Sequence, residues 1–227
     1  MLVREALAAG IELEAIYVDA DDGVLLREFD GAIPVAAGVL ATVLSTVTPQ
    51  PACAVASLSL AQGLDQLIER AVSTGRPLVV LVDVADPGNA GTIVRAAEAS
   101  GCAGVVFAGA TVEAYSPKVV RSSAASVLRV PFAVERDVAA ALGALSAGGV
   151  TAVAAVARDG QPHLEAPLAA AVAIVVGNEA HGLSDDDVAR CDSTVTIGMD
   201  GPSESLNVAM AATVLCFEAL RQRHAAK

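Results

Sequence analysis

The chain has 227 residues, of which 54% are hydrophobic and 18% charged, and its formal net charge is −12. This length suits a medium domain with a smaller one, and the composition is apolar enough to build a substantial core. The negative charge argues against a generally basic nucleic-acid-binding surface, because phosphate contacts need Lys and Arg. No apolar run approaches the roughly 20 residues that a membrane-spanning helix needs, so no membrane partner is expected.

The cysteines and histidines show no metal-binding or disulfide pattern. None of the cysteines has CxxC spacing and the histidines are dispersed, so we expect reduced thiols, a cytoplasmic location and no metal. A secretion signal has a basic region followed by an apolar one, and the N-terminus has neither in that order. The residues concerned are Cys53, Cys102, Cys191, Cys216, His163, His181 and His224.

Residues 1–60 are predicted to form a small α/β domain. Residues 2–9 predict a helix, residues 15–18 and 52–57 predict strands, and residues 35–44 continue the alternation. The chain enters its first helix with no preceding strand, so this domain is expected to lack its natural start. Residues 61–75 are predicted as a linker with one short helix.

Residues 76–227 are predicted to form a second, larger α/β domain. Apolar strands at residues 78–84, 104–108, 151–156, 172–176 and 194–197 alternate with helical stretches. Continuous apolar strands separated by helices indicate a parallel sheet covered on both faces. Ligands bind such sheets beyond the carboxyl ends of the strands, where three polar segments lie here.

The first polar segment, residues 86–97, leaves a strand through a Pro-Gly turn and opens a helix. Asn89 is placed to cap that helix, and Arg95 lies nearly two turns further in. From the spacing alone, a capped helix with an exposed arginine is an equally good interpretation. The segment is not a dinucleotide-binding turn, because the pattern G-x-G-x-x-G is absent.

The second polar segment, residues 176–184, follows the most apolar strand. Gly177 lets another backbone approach closely, and Glu179 is suited to hold a cation or to orient a polar partner. His181 is interpreted as a hydrogen-bonding loop residue rather than a catalyst. Ser184 is expected to cap the acidic turn that follows it.

The third polar segment, residues 201–207, joins a strand-like stretch to an apolar helix at residues 208–220. Ser203 or Ser205 alone would cap that helix, yet polar residues occupy four of the five positions 203–207. Free amide groups at a helix N-terminus can bind a ligand. We therefore interpret this loop as one wall of a site.

Together the three segments resemble one family. The patterns N-x-G-x-x-x-R at residues 89–95, G-N-E-x-x-G-L at 177–183 and I-x-M-x-G-x-x-E-S-L-N-V at 197–208 look like the ordered signatures of SpoU-type RNA ribose 2′-O-methyltransferases, of the trefoil-knotted SPOUT superfamily. Residues 116–123 resemble the family's intermediate segment. Residues 1–60 are similar to the ribosomal-protein-like RNA-binding domain that often precedes it.

The resemblance implies a fold, a cofactor and roles for particular residues. It implies an α/β fold with a C-terminal trefoil knot, and a homodimer in which Arg95 reaches the partner's cofactor. S-adenosylmethionine would be held by Val176, Gly177, Ile197, Met199 and Leu206. The catalytic set would be Arg95, Asn89, Glu179, Ser205 and Asn207, and the candidate RNA contacts are Lys118, Arg121 and Arg129.

The chain departs from the family pattern at Gly198, where proline is usual, and at Ala180 and Ala125, where glycine is common. Family mechanisms make the arginine of the first motif a base. A guanidinium stays protonated at neutral pH, so we expect Arg95 to clamp a phosphate and orient the hydroxyl instead.

The motifs indicate the reaction rather than the RNA. Ribosomal RNA is the expected substrate because of the fused N-terminal domain, and transfer RNA is the nearest alternative. A non-catalytic RNA-binding or ribosome-associated factor that keeps the cofactor pocket is a second alternative, favoured by the acidic balance. A small-molecule enzyme would leave the joint occurrence of the three segments unexplained.

Overall fold

The structure, a computed structural model, describes residues 2–44, 48–57 and 61–226. The chain divides into two compact units, residues 1–59 and 60–227, and each unit contains its own sheet. Within the described ranges, no helix is both long and apolar enough to cross a membrane.

The first unit is a three-stranded sheet with short helices. Strand β1 pairs in parallel with β2 and antiparallel with β3, which gives the order β2-β1-β3. The core is small and centres on Val18, Leu25 and Phe29. The elements are α1 Leu2–Ala8, β1 Leu13–Asp19, α2 Gly23–Glu28, β2 Ile33–Val35, α3 Val39–Val43 and β3 Ala52–Ala56.

The second unit contains a seven-stranded sheet in which every pairing is parallel, as predicted. Its order is β6-β5-β4-β9-β7-β10-β8. The strands are β4 Leu78–Val82, β5 Gly104–Ala108, β6 Phe132–Glu135, β7 Thr151–Ala155, β8 Gln161–Pro162, β9 Val172–Val176 and β10 Ser193–Thr196. The edge strands β6 and β8 were not predicted, because they are too short to form an apolar run.

Helices cover both faces of this sheet. The helices are α4 Leu64–Thr74, α5 Pro87–Ser100, α6 Pro117–Ser122, α7 Val138–Ala147, α8 Asp185–Ala189 and α9 Val208–Ala225. Successive residues of β4 alternate between two cores, because side chains of a strand point to opposite faces. Val79 packs in the core with α5 and α9, whereas Val80 packs in the core with α4 and α7.

The predicted linker, residues 61–75, is not a linker in the structure. The helix predicted there is α4, whose Leu67, Ile68 and Ala71 are buried in the core of the second unit. These three residues share one face of the helix, and burying that face stabilises α4 against the sheet.

The strand order places the carboxyl ends of β4 and β9 side by side. From β4 the chain builds outward on one side through β5 and β6, whereas β9 and β7 lie on the other side. The strand order therefore reverses between β4 and β9, which is where ligands bind sheets of this kind. The first two polar segments leave the sheet from these two neighbouring strands.

Candidate functional site

The N-terminus of α5 presents Asn89 to the site instead of using it as a cap. The Asp86 carboxylate caps the helix, with Oδ1 accepting from the N–H groups of Gly88 at 2.6 Å and Asn89 at 3.0 Å. The prediction that Asn89 caps the helix is therefore wrong, because Asp86 precedes the helix whereas Asn89 is its third residue. The Asn89 N–H and that of Gly88, with Lys118, hold the pKa of Asp86 below its usual value despite partial burial.

Glu179 connects the second polar segment to the first. Its Oε1 accepts hydrogen bonds from Asp86 N at 3.0 Å and Asn89 Nδ2 at 2.9 Å, and its Oε2 accepts from Ala85 N at 3.2 Å. Burial alone would raise the pKa of Glu179, but the hydrogen bonds from Asn89, from its own backbone and from Asp86 and Ala85 outweigh it and lower that pKa. Glu179 thus orients polar partners, one of the two roles predicted for it.

Asn207 connects the third polar segment to the same network. Its Nδ2 donates to Asn89 Oδ1 at 3.0 Å, while its Oδ1 caps α9 by accepting from Ala209 N at 2.9 Å and Met210 N at 3.3 Å. The cap is therefore Asn207 rather than Ser203 or Ser205, because the helix begins at Val208. A continuous chain of hydrogen bonds runs from Asn207 through Asn89 to Glu179.

A tight backbone contact shapes the loop after β9. A Cβ added at Gly177 would lie 2.3 Å from the carbonyl carbon of Gly182 and 2.4 Å from Leu183 N, which confirms that the backbones approach closely there. Asn178 pairs with Gly182 through both backbone groups, at 2.9 and 3.1 Å. Ser184 caps α8 through Asp187 N, as predicted.

Asn178 is a positioning residue that sequence reasoning did not single out. Its Nδ2 donates to Asp83 O at 2.9 Å, and its Oδ1 accepts from the N–H groups of Ala180 and His181. Asp83 follows β4 and has a φ of 54°, a left-handed conformation that is unusual for a residue with a side chain. The signal available in the sequence was an asparagine in a Gly-rich turn, where such side chains bond to nearby backbone.

A cleft of about 710 Å³ opens beside these loops, within the usual size range of small-molecule sites. All five residues predicted to hold the cofactor line it: Val176, Gly177, Ile197, Met199 and Leu206. Glu179 and Ser205 of the predicted catalytic set line it too. The remaining walls are mainly apolar, and they include Val156, Val195 and Leu215. The fold therefore brings these seven predicted residues together in the lining of one cleft.

The predicted catalytic residues Asn89, Asn207 and Arg95 do not line the cleft. Asn89 and Asn207 are joined to its rim by the hydrogen bonds described above. Arg95 is exposed on α5 and donates no hydrogen bond within the described ranges. Arg95 is thus available to a group outside this chain.

The three candidate RNA contacts differ in their surroundings. Lys118 and Arg121 are both exposed on α6. Lys118 Nζ lies 3.6 Å from Asp86 Oδ2. Arg129 forms a bidentate ion pair with Glu98, in which Nε donates to Oε1 at 2.5 Å and Nη2 donates to Oε2 at 3.0 Å. This pairing, together with Ser126, lowers the pKa of Glu98 against the effect of burial. Arg129 is therefore already neutralised within the chain.

No cluster of three or more His, Cys, Asp or Glu side chains in the described part of the chain is arranged to hold a metal ion. The cysteines are unpaired: Cys53 and Cys191 are partly buried, and Cys102 and Cys216 are buried with their Sγ atoms 4.0 Å apart.

Comparison with known proteins gives a consistent group of relatives. The model of the SpoU rRNA methylase family matches residues 76–217. A 23S rRNA (guanosine(2553)-2′-O)-methyltransferase, RlmP of Bacillus subtilis, is 33% identical over 175 residues, which cover 77% of this chain and 66% of the relative. The chain thus spans just under two thirds of the length of that relative.

Two solved structures align with different shares of the chain. The AdoMet-bound rRNA methyltransferase from Sinorhizobium meliloti superposes with a TM-score of 0.84 and 27% identity, over 97% of this chain and 84% of that one. The TrmH/SpoU tRNA modifying enzyme of A. aeolicus superposes with a TM-score of 0.61 and 25% identity, over 72% of this chain and 82% of that one.

Proposed function

The chain belongs to the SpoU rRNA methylase family, and we propose that it transfers a methyl group from S-adenosylmethionine to a ribose 2′-hydroxyl of ribosomal RNA. The observation that carries this proposal is the chain of hydrogen bonds from Asn207 through Asn89 to Glu179. It joins the three motif segments, which are far apart in sequence, at the rim of one cleft. A structural role alone would not require all three to meet there.

The cleft fits the proposed methyl donor in size and chemistry. Apolar walls such as Val195 and Leu215 suit a nucleoside base, and the close packing of Gly177 against the backbone of Gly182 and Leu183 fixes the loop that borders the cleft. S-adenosylmethionine, when bound, supplies an electrophilic methyl group on a sulfonium. Ile197, Met199 and Leu206 would complete its contacts, together with Val176.

The residues of this chain would act mainly by positioning. Methyl transfer is a single displacement, so holding the hydroxyl in line with the methyl group supplies much of the rate. Ser205 on the cleft and Asn207 beside it would flank the ribose. Arg95 stays protonated, so we propose that it clamps the adjacent phosphate and orients the hydroxyl.

We further propose that the enzyme is a homodimer with a C-terminal trefoil knot. Met210, Val214 and Phe217 form an exposed apolar stripe on α9, at spacings that put them on one helix face, and Met210 is 66% exposed. Helix α5, which carries Arg95, packs beside α9. A second copy on this stripe would bring Arg95 near the partner's cleft, which accounts for its position outside the cleft of its own chain.

Ribosomal RNA is favoured over transfer RNA as the substrate, because an rRNA methyltransferase structure aligns with a larger share of this chain than a tRNA modifying enzyme does. The rRNA methyltransferase structure covers 97% of this chain, whereas the tRNA modifying enzyme covers 72%. We propose that the first unit, residues 1–59, binds RNA, and separately that Lys118 and Arg121 of the second unit contact RNA. The unpaired cysteines fit an enzyme that works in the cytoplasm.

Two measurements separate this function from its alternatives. Calorimetry with S-adenosylmethionine tests the cleft, and incorporation of labelled methyl into bulk ribosomal and transfer RNA tests the reaction and the substrate. Binding without incorporation would favour a non-catalytic factor, and incorporation into transfer RNA alone would favour the nearest alternative substrate. With Arg95→Lys we expect turnover to fall at least about tenfold, because Lys lacks the planar fork. Near-normal turnover of that variant would refute the clamp.

A further inference from the structure

The loop that follows β7 is held in a defined conformation against β10. The Thr196 hydroxyl accepts from Gly160 N at 2.9 Å and donates to Val156 O at 3.1 Å, so one side chain fastens both ends of the loop. Asp159 at its tip has a φ of 61°, in the left-handed region. A Cβ at Gly160 would lie 2.6 Å from Thr196 Oγ1, so the loop can pack this closely only with glycine there.

This loop carries Arg158 into the lining of the cleft. Among the described residues that line the cleft, Arg158 is the only lysine or arginine, while Glu179, Asp185 and Glu204 are the acids. Arg158 is exposed and forms no hydrogen bond or ion pair within the ranges that the structure describes. An arginine that a fixed loop places in the cleft, with no partner among the described residues, is available to a ligand.

We propose that Arg158 binds the carboxylate of the amino-acid end of the methyl donor, an inference that rests on the proposed function. A guanidinium matches a carboxylate with two parallel hydrogen bonds, and such charge-assisted pairs are among the strongest that proteins form. Asp185 and Glu204 offer the opposite charge to the ammonium group of the same amino acid. Arg158 is thus a positioning residue for the donor.

The test compares two ligands that differ in the amino-acid end. S-adenosylhomocysteine carries the carboxylate and the ammonium group, whereas 5′-methylthioadenosine lacks both. By calorimetry on the full chain, we expect Arg158→Gln to lower the affinity for S-adenosylhomocysteine at least about tenfold. The affinity for 5′-methylthioadenosine should not change. Arg158→Lys should be intermediate, since it keeps the charge and loses the fork. Arg70→Ala on α4, an exposed arginine outside the cleft, should change neither affinity.

Other results would overturn the inference. If Arg158→Gln lowered the affinity for both ligands equally, the substitution would be distorting the cleft. Unchanged affinity for both ligands, or weaker RNA binding with unchanged S-adenosylhomocysteine affinity, would assign Arg158 to another task. If the unmodified protein bound neither ligand, the proposed function itself would fail, and this inference with it.

Discussion

Glu179 holds the loop after β4 in place through hydrogen bonds that only an ionised carboxylate can accept in full. It accepts from two backbone N–H groups and from the Asn89 amide, and these bonds lower its pKa in the folded protein although burial opposes them. A carboxyl group whose pKa is lowered on folding stabilises the fold above its unfolded pKa. That stabilisation is lost as the pH falls through the folded pKa.

We therefore expect Glu179→Gln to reduce the free energy of unfolding by about 1 kcal/mol at pH 7, because one acceptor is lost. The difference from the unmodified protein should shrink as the pH falls from about 4.5, the ordinary pKa of a glutamate, through the lower pKa that Glu179 has in the folded protein. Urea unfolding between pH 3 and pH 7 measures both. Glu165→Gln is the control, since that exposed side chain accepts no hydrogen bond in the described structure. A pH-independent difference for Glu179→Gln would contradict this account.

Asn207 combines a helix cap with a link to Asn89, and two substitutions separate these roles. Asn207→Asp keeps an oxygen to cap α9 but loses the donor to Asn89, so we expect nearly unchanged stability and a turnover reduced at least about tenfold. Asn207→Ala should lose turnover and also about 1 kcal/mol of stability. Urea unfolding and methyl incorporation measure the two effects. Normal turnover of Asn207→Asp would show that the amide link is dispensable.

At this scale the residue types of the site could be predicted, but their partners could not. The apolar and glycine positions of the cleft follow from their location at the strand ends. The predicted cap of α5 is wrong because Asp86 and Asn89 are both good capping residues, and the sequence does not show which one precedes the helix. The pairing of Arg129 with Glu98 joins residues 31 positions apart, and no local pattern indicates it.

At the scale of elements, the loop after β9 depends on the missing side chain of Gly177. We expect Gly177→Ala to destabilise the protein by about 1–3 kcal/mol, because the new Cβ would overlap the backbone at Gly182 and Leu183. Binding of S-adenosylhomocysteine should weaken with it. Gly143→Ala is a matched control, because Gly143 is exposed within α7 with open space around it. We expect this variant to have a free energy of unfolding about 0.5–1 kcal/mol higher than the unmodified protein. Thermal unfolding and calorimetry measure these effects, and a stable Gly177→Ala variant with full affinity would contradict the close approach.

The central elements were predictable to within one or two residues, while the peripheral ones were not. Strands β4, β5 and β9 are fully buried, so their sequences are continuous apolar runs that mark their bounds. Strand β8 consists of Gln161 and Pro162, and its pairing with β10 comes from tertiary context. Helix α4 was treated as part of a linker because its apolar face covers only a few positions among polar ones.

At the scale of the molecule, the exposed stripe on α9 leads to a prediction about assembly. We expect the protein to be a dimer and Phe217→Glu to be monomeric, because a charge on the stripe would have to lose its water in the interface. Sedimentation equilibrium measures this, and turnover should fall with the loss of the partner. Val72→Glu on α4 is the control, since Val72 is an exposed apolar residue on another helix. A monomeric unmodified protein, or a dimeric Phe217→Glu variant, would contradict the assembly.

The fold class could be inferred from sequence, and the reaction proposed, because three motifs occur in order and the parallel sheet brings their segments to one edge. The net charge of −12 pointed away from RNA, because a total charge does not show where the charges lie. Lys118 and Arg121 share one short helix, α6, and Arg121 has no ion pair within the described ranges, whereas Lys118 lies 3.6 Å from Asp86.

The most direct test of the proposed enzyme is to incubate it with labelled S-adenosylmethionine and ribosomal RNA, and then to digest the RNA with alkali. A 2′-O-methylated ribose protects the following phosphodiester bond, so the account predicts label in an alkali-stable dinucleotide that forms at least about tenfold more slowly with Asn207→Asp. Label released entirely in mononucleotides, or no incorporation by a protein that binds S-adenosylhomocysteine, would contradict it.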